Sequence, residues 1–214
     1  MHSKFDVQHA MNCKKGGFVI IRHNNVRDIT TNMLSEVCKD VTSEPVLLSL
    51  TGEKFTGKST KTSDEARLDI KARGFWVKGQ YAFFDIRVFD PNALRYFNQS
   101  LTKSYTSNET EKKRHYNDRV LEVENGSFTP LVFSIHGGMG RESQIFYHRL
   151  ADMIAEKKKL KLPIVTAWLR TKLCFSLLKS CLLCIRGSRT KHIDFCSKIE
   201  SDDIKVDYTM SKLN

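Results

Sequence analysis

Residues 67–88 read RLDIKARGFWVKGQYAFFDIRV, and the fold turns on how this stretch is paired. It contains two short runs rich in apolar and aromatic residues, 67–75 and 81–88, with one aspartate in each, Asp69 and Asp85. Between them, Val77-Lys78-Gly79-Gln80 has the glycine and polar residues of a hairpin turn, so the stretch predicts two antiparallel strands. Alternation puts Phe83, Asp85 and Arg87 on one face of the second strand and Phe84, Ile86 and Val88 on the other. An aspartate among apolar neighbours is costly to bury unless something pairs with it. A divalent cation shared by Asp69 and Asp85 is one such partner. Ordinary ion pairs with Arg67, Arg73 or Arg87 are the other.

Outward from the hairpin, the elements fall in a definite order. Residues 22–41 have apolar side chains at spacings of three and four and predict a helix, with Asn24 or Asn25 as its cap. Arg22, His23 and Arg27 cluster in its first turns, where they either face a phosphate or form capping and salt-bridge contacts. Glu44-Pro45 ends the helix, and 46–50 predicts a short strand. The polar run 51–65 predicts a surface loop. After the hairpin, 94–109 predicts loop or short helix, and 108–124 a charged helix ended by Asn125-Gly126. On that helix Lys112 and Tyr116, four apart, share a face, with Lys113 beside them.

FTPLVFSI, 128–135, predicts a strand covered on both faces. His136-Gly137-Gly138-Met139-Gly140 follows, either a tight strand-to-helix turn or a loop whose N–H groups, with Arg141, receive a phosphate. Two helices come last, 141–157 and 163–185. This order describes an α/β fold, a small mixed sheet flanked by helices with a helical C-terminal extension.

The formal net charge is +11, and 141–191 alone holds 12 Lys/Arg against 3 Asp/Glu. Such a surface is either a solvated helix face or one that meets a polyanion, DNA or RNA. No run is apolar enough to span a membrane, and no apolar segment follows the polar start, so a nuclear or cytoplasmic, non-secreted chain with reduced thiols is expected. His9 and Cys13 have the spacing of a zinc half-site, which binds nothing firmly without further ligands; His2 is a weak third. Cys181 and Cys184 read as buried thiols.

The core resembles the restriction-endonuclease-like, or PD-(D/E)xK, nuclease superfamily, which carries one acid on a central strand and acid-x-Lys on the next. Asp69 matches the first acid, and Asp85-Ile86-Arg87 matches the second motif with arginine for lysine. Lys112 and Tyr116 match the spacing of a Gln-x3-Tyr found on the next helix of several members, with lysine for glutamine. The resemblance spans roughly 22–157 and implies a Mg²⁺-dependent DNA endonuclease. In it Asp69 and Asp85 hold the metal, Arg87 or Lys112 supplies the cation, and Tyr116 orients phosphate. Arg87 can clamp a phosphate but stays protonated, so it cannot act as a base.

CKKGGFVIIRHNNVRD, GQYAFFDIRVFDPNA, FTPLVFSIHGGMG and LCIRGSR also resemble recurring blocks of open reading frames that accompany retroelement reverse-transcriptase proteins in animal genomes. That group usually places Cys-x-Cys before the Phe-x3-His-x3-Cys seen here at Phe5, His9 and Cys13. Its absence implies a truncated zinc knuckle with zinc unlikely. The resemblance further implies a mobile-element partner protein, or a catalytically inactive nucleic-acid-binding or assembly module, and leaves the oligomeric state open. The expected organisation is a lead-in at 1–21, a nuclease-like core at 22–157, a helical extension at 158–189 and a flexible tail at 190–214.

Overall fold

The computed structural model describes residues 6–48 and 67–187. The loop expected at 51–65, the tail from 190 and His2 therefore lie outside the described residues. The elements are α1 (Val7–Asn12), α2 (Phe18–Ser35), β1 (Lys39–Ser43), β2 (Ile70–Arg73), β3 (Tyr81–Phe89), a 3₁₀ turn (Leu94–Tyr96), α3 (Leu101–Glu122), β4 (Ser127–Ser134), α4 (Arg141–Lys158) and α5 (Leu162–Arg186). Among the described residues the strands form one mixed sheet in the order β1-β2-β3-β4. β1 through β3 run as an antiparallel meander, and β4 joins β3 in parallel after the α3 crossover.

Alternation along β3 and β4 sorts the core. Phe84, Ile86, Leu131 and Phe133 point to one face and pack with residues of α2, α4 and α5. Phe83 and Phe128 point to the other and meet Leu47, Leu68 and Val120; Phe89 and Val132 meet Tyr96 and Tyr105. Thus α3 covers one face alone, while three helices cover the other. α5 follows Pro163 in its first turn and buries Val165, Leu169, Leu173 and Leu177 in the larger core. It packs on α2 and α4 and so belongs to the core as well as extending it.

Three expected boundaries move. The predicted helix at 22–41 begins earlier, at Phe18, after Gly17 in a left-handed conformation (φ 75°). It ends at Ser35, and residues 39–43 become edge strand β1. Its exposed polar side chains hid a strand that its pairing with β2 stabilises. The strand expected at 46–50 is reduced to a single bridge between Val46 and Arg67, with 49–50 outside the described residues. α3 starts at Leu101 instead of 108, capped by Ser100, whose Oγ accepts the Lys103 N–H at 3.3 Å. Its Ser- and Asn-rich first turns are weak helix formers. Ser104 and Asn108 turn their polar groups back onto Ser100 and Ser104 carbonyls, at 3.2 and 2.8 Å, so both side chains are buried without loss.

The end of α3 follows the expected Asn125-Gly126 stop. Asn125 has φ 49°, and a Cβ on Gly126 would lie 2.9 Å from both the Phe83 ring and the Tyr81 carbonyl oxygen. Only glycine lets the chain turn this close to β3. β4 is buried along seven of its eight residues, as an apolar strand without alternation requires. Pro130 fits there because β4 is an edge of the sheet.

Candidate active site

The site forms where β2 begins. The β2–β3 ladder opens at Ile70 opposite Phe84, which puts Asp69 one residue earlier, across from Asp85. The Asp69 N–H still donates to Phe84 O at 3.2 Å, while its carboxylate turns toward β3 and accepts the Ile86 N–H at 2.6 Å. Asp85 is 5 % exposed and lies in register with Pro130 of β4. The hairpin therefore brings the two carboxylates near enough for each to feel the other's charge.

Each carboxylate has a cationic partner from a different helix. From α2, His23 Nε2 lies 3.1 Å from Asp69 Oδ2 and 3.1 Å from the Ile86 carbonyl oxygen. Its Nδ1 lies 3.4 Å from Asn24 Oδ1. With oxygens at both ring nitrogens, the doubly protonated imidazolium satisfies the most partners. From α3, the Lys112 ammonium pairs with Asp85 Oδ2 and sits 5.8 Å from the centre of the Tyr116 ring. Of the alternative partners weighed from the sequence, Arg73 and Arg87 are placed elsewhere. Arg73 pairs with Asp40 at 2.7 Å, and Arg87 donates to Glu111 at 3.0 Å.

Burial sets the titration of this cluster. Burial opposes charge on Asp69, but the hydrogen bond and charge of His23 outweigh it and hold the carboxyl below its ordinary value. His23 is raised in turn: burial works against its charge, and the Asp69 hydrogen bond and charge prevail. Asp85 goes the other way. Burial pushes it up to about 6, the Lys112 charge pulls it back, and the Asp69 charge adds to the rise. Lys112 is raised, because the attraction of Asp85 exceeds the cost of burial. Burial and then the Asp85 charge raise Tyr116. Two acids on facing strands thus titrate apart, a pattern suited to acid–base work.

Arg87 is diverted from the carboxylates. Glu111 Oε2 accepts both Arg87 Nη1 and Arg95 Nη2, each at 3.0 Å. Glu111 was not singled out in the sequence, although it precedes Lys112 and shares its side of α3. The i, i+1 neighbours Glu111 and Lys112 each neutralise a charge on β3, Arg87 and Asp85 respectively.

The residues expected to meet nucleic acid are dispersed. Arg22 is 2 % exposed and donates to the Met11 carbonyl at 3.1 Å, so it cannot reach a phosphate. His23 is held by Asp69, and Arg27 by Asp28 and Glu44. Lys113 pairs with Glu142 at 2.5 Å, while Arg141 is exposed at the start of α4. The glycine turn is not a phosphate cradle: the N–H groups of Gly137, Gly138 and Gly140 donate to Ser134 O, Ser134 Oγ and Val132 O at 2.9–3.0 Å. Gly138 is there because a Cβ would sit 2.2 Å from the Tyr105 hydroxyl. His9 and Cys13 lie at α1, Cys13 as a free thiol, and Cys181 and Cys184 are also free thiols. Among the described residues, no three His, Cys, Asp or Glu side chains gather as a metal site. No helix among them is long and apolar enough to cross a membrane. Searches against protein-family models and curated proteins match nothing.

The cluster offers hard oxygen donors: the Asp69 and Asp85 carboxylates and the Ile86 carbonyl that meets His23. These fit Mg²⁺ in kind, since that ion takes carboxylate and carbonyl oxygens and keeps several waters. Here the imidazolium and the ammonium supply the compensating positive charge.

Proposed function

We propose that the Asp69–Asp85 cluster is the active site of a Mg²⁺-dependent phosphodiester nuclease acting on DNA. The observation that carries the reading is the approach of two carboxylates from adjacent strands, Asp85 buried and Asp69 partly so, with the Lys112 ammonium on Asp85. The order helix, three-strand meander, helix, parallel strand, helix supports it, being the order that the restriction-endonuclease-like resemblance implies. When bound, Mg²⁺ would lower the pKa of a water and offset charge developing on the phosphate. Asp69 and Asp85 would hold the ion. Lys112, paired with Asp85, would stabilise the negative charge that grows on the scissile phosphate. Tyr116, one helical turn on and beside Lys112, would donate its phenolic hydrogen to the phosphate. His23 keeps Asp69 ionised and oriented. Arg87, bound to Glu111, takes no direct part. The resemblance to retroelement-associated reading frames adds a setting, cleavage of DNA for a mobile element in the nucleus or cytoplasm.

Nicking of supercoiled plasmid in Mg²⁺ tests this. The protein should nick, Asp85→Ala should fall to background, and Lys112→Met should lose about 10²–10³-fold. Equal nicking by the protein and Asp85→Ala would refute the assignment. A second reading, a nucleic-acid-binding module without catalysis, is favoured by the self-paired carboxylates and by the arginine in place of lysine at 87. It is the better account if DNA binding that weakens with salt survives Asp69→Ala and Asp85→Ala while no variant cleaves.

A further inference from the structure

Two basic side chains flank Asp85 on the α3 face of the sheet, and its carboxylate pairs with the more distant in sequence. Lys112 reaches it from α3. Arg87 follows two residues along β3 on the same face, about 7 Å away along the strand. An extended arginine spans that distance. A guanidinium also grips a carboxylate through two parallel N–H bonds, which an ammonium cannot do. Arg87 nonetheless turns away from Asp85, and its Nη1 donates to Glu111 Oε2 at 3.0 Å.

Three features fix Glu111 in this role. It directly precedes Lys112, so one turn of α3 presents an anion to Arg87 and a cation to Asp85. Its carboxylate is also held by a second cation, since Arg95 Nη2 donates to the same Oε2 at 3.0 Å. Arg95 lies 5.8 Å from the centre of the buried Tyr96 ring, whose hydroxyl donates to Asn108 of α3 at 3.1 Å. Finally, Glu111 stays ionised. Burial opposes its charge, but Arg87 and then Arg95 outweigh burial and hold the carboxyl below its ordinary value.

We propose that Glu111 is a positioning residue of the candidate site, which holds Arg87 off Asp85 and so leaves that carboxylate open to a metal ion. The proposal rests on the reading of Asp69 and Asp85 as the groups that hold the ion. With Glu111 in place, the Lys112 ammonium is the cation paired with Asp85. Without it, Arg87 joins Lys112 there, and the carboxylate is closed by a bidentate pair. Glu111 touches neither the ion nor the phosphate; it acts through Arg87 alone.

The test titrates Mn²⁺, which takes the same oxygen ligands as Mg²⁺, into the DNA-free full chain and reads binding by electron paramagnetic resonance. Glu111→Gln keeps the side chain's shape and removes its charge, and should weaken Mn²⁺ binding about tenfold. Arg87→Met added to Glu111→Gln should restore binding to within about twofold of the unaltered chain, while Arg87→Met alone should change it by less than about twofold. A merely structural loss would not be rescued by removing the arginine. The Arg87 Nε–H resonance supplies a metal-free readout: it should move in Glu111→Gln and move again when Asp85→Asn is added. Mn²⁺ binding unchanged by Glu111→Gln overturns the proposal, as does weakened binding that Arg87→Met fails to restore. An equal effect of Arg87→Met with and without Glu111→Gln overturns it too, because the arginine then acts only as a distant charge. So does an Arg87 resonance in Glu111→Gln that ignores Asp85→Asn. Asp85→Asn also separates the two levels. If the unaltered chain shows no Mn²⁺ binding that Asp85→Asn abolishes, the ion-holding reading falls and takes this proposal with it. If such binding is present and Glu111→Gln leaves it intact, only the role of Glu111 falls.

Discussion

The two faces of the sheet are built from the same strands to opposite ends. On the face toward α2, α4 and α5, the side chains of β3 and β4 are apolar but for Ser127 and Thr129 at one end of β4, where Thr129 Oγ1 accepts the Trp76 indole N–H, and Phe84 and Phe133 are fully buried. On the face toward α3, two apolar clusters are separated by a polar band of Asp85 and Arg87 on β3 and Glu111 and Lys112 on α3. The first face holds the fold. The second gives up packing to keep charges in place, which is where a chain departs from its own folding rules when chemistry requires it.

Substitutions on the two faces should therefore differ in sign as well as size. Phe84→Ala leaves a cavity between Phe75 and Phe146, its edge-to-face neighbours, and should cost about 3–5 kcal/mol in denaturant melts. Asp85→Asn should do the reverse. A carboxyl raised to about 6 binds a proton in the folded state before the unfolded one does, so stability falls as pH climbs from the ordinary value of 3.8 to about 6. The neutral amide removes that penalty and should gain about 2 kcal/mol at pH 8, with no gain at pH 3 and with nicking lost. A thermal melt at the two pH values separates the outcomes; a loss at pH 8 would contradict the contrast between the faces.

His23→Asn should be smaller and should depend on pH in another way. The raised His23 contributes stability below its ordinary value of 6.5, lost as pH rises through its folded pKa. The depressed Asp69 contributes above 3.8, lost as pH falls through its folded pKa. The pair thus matters most at about pH 5.5, where the variant should cost roughly 1–2 kcal/mol, and less at pH 8.5; melts across that range check it. Tyr147→Phe, which leaves Thr30 Oγ1 without the hydroxyl now 3.0 Å away, should cost about 1 kcal/mol on the apolar face. Lys113→Ala should cost under about 0.5 kcal/mol, because its pair with Glu142 is half exposed.

The hairpin was legible in the sequence because alternation and a glycine turn are local signals. The same holds for β4, α4 and α5, whose apolar periods run long enough to need no context. β1 was not legible. Its five residues carry one inward side chain, Val41, and their strand form depends on a partner thirty residues later. The start of α3 was hidden for a similar reason, since its serines and asparagine suit a helix only when buried against Tyr96 and the sheet. Within the site, the pairing of the strands that carry Asp69 and Asp85 followed from alternation and the turn, and the shared face of Lys112 and Tyr116 from the helix period. That His23 belongs to Asp69, and Glu111 to Arg87, did not, because both pairings join elements whose packing angle no local pattern encodes. The glycine turn misled: its N–H groups looked available and are consumed by Ser134 and Val132.

The imidazolium on Asp69 and the ammonium on Asp85 have a consequence for how the protein is stored and handled. A pocket whose carboxylates relied on a bound ion would swell or melt in chelator. This one carries its own electroneutrality, so excess EDTA should leave the melting temperature where it was. Loading the ion should instead appear as displaced side chains, with the His23 and Lys112 resonances moving together on titration. Resting in the charge-neutral form, the molecule keeps its shape when the ion is absent.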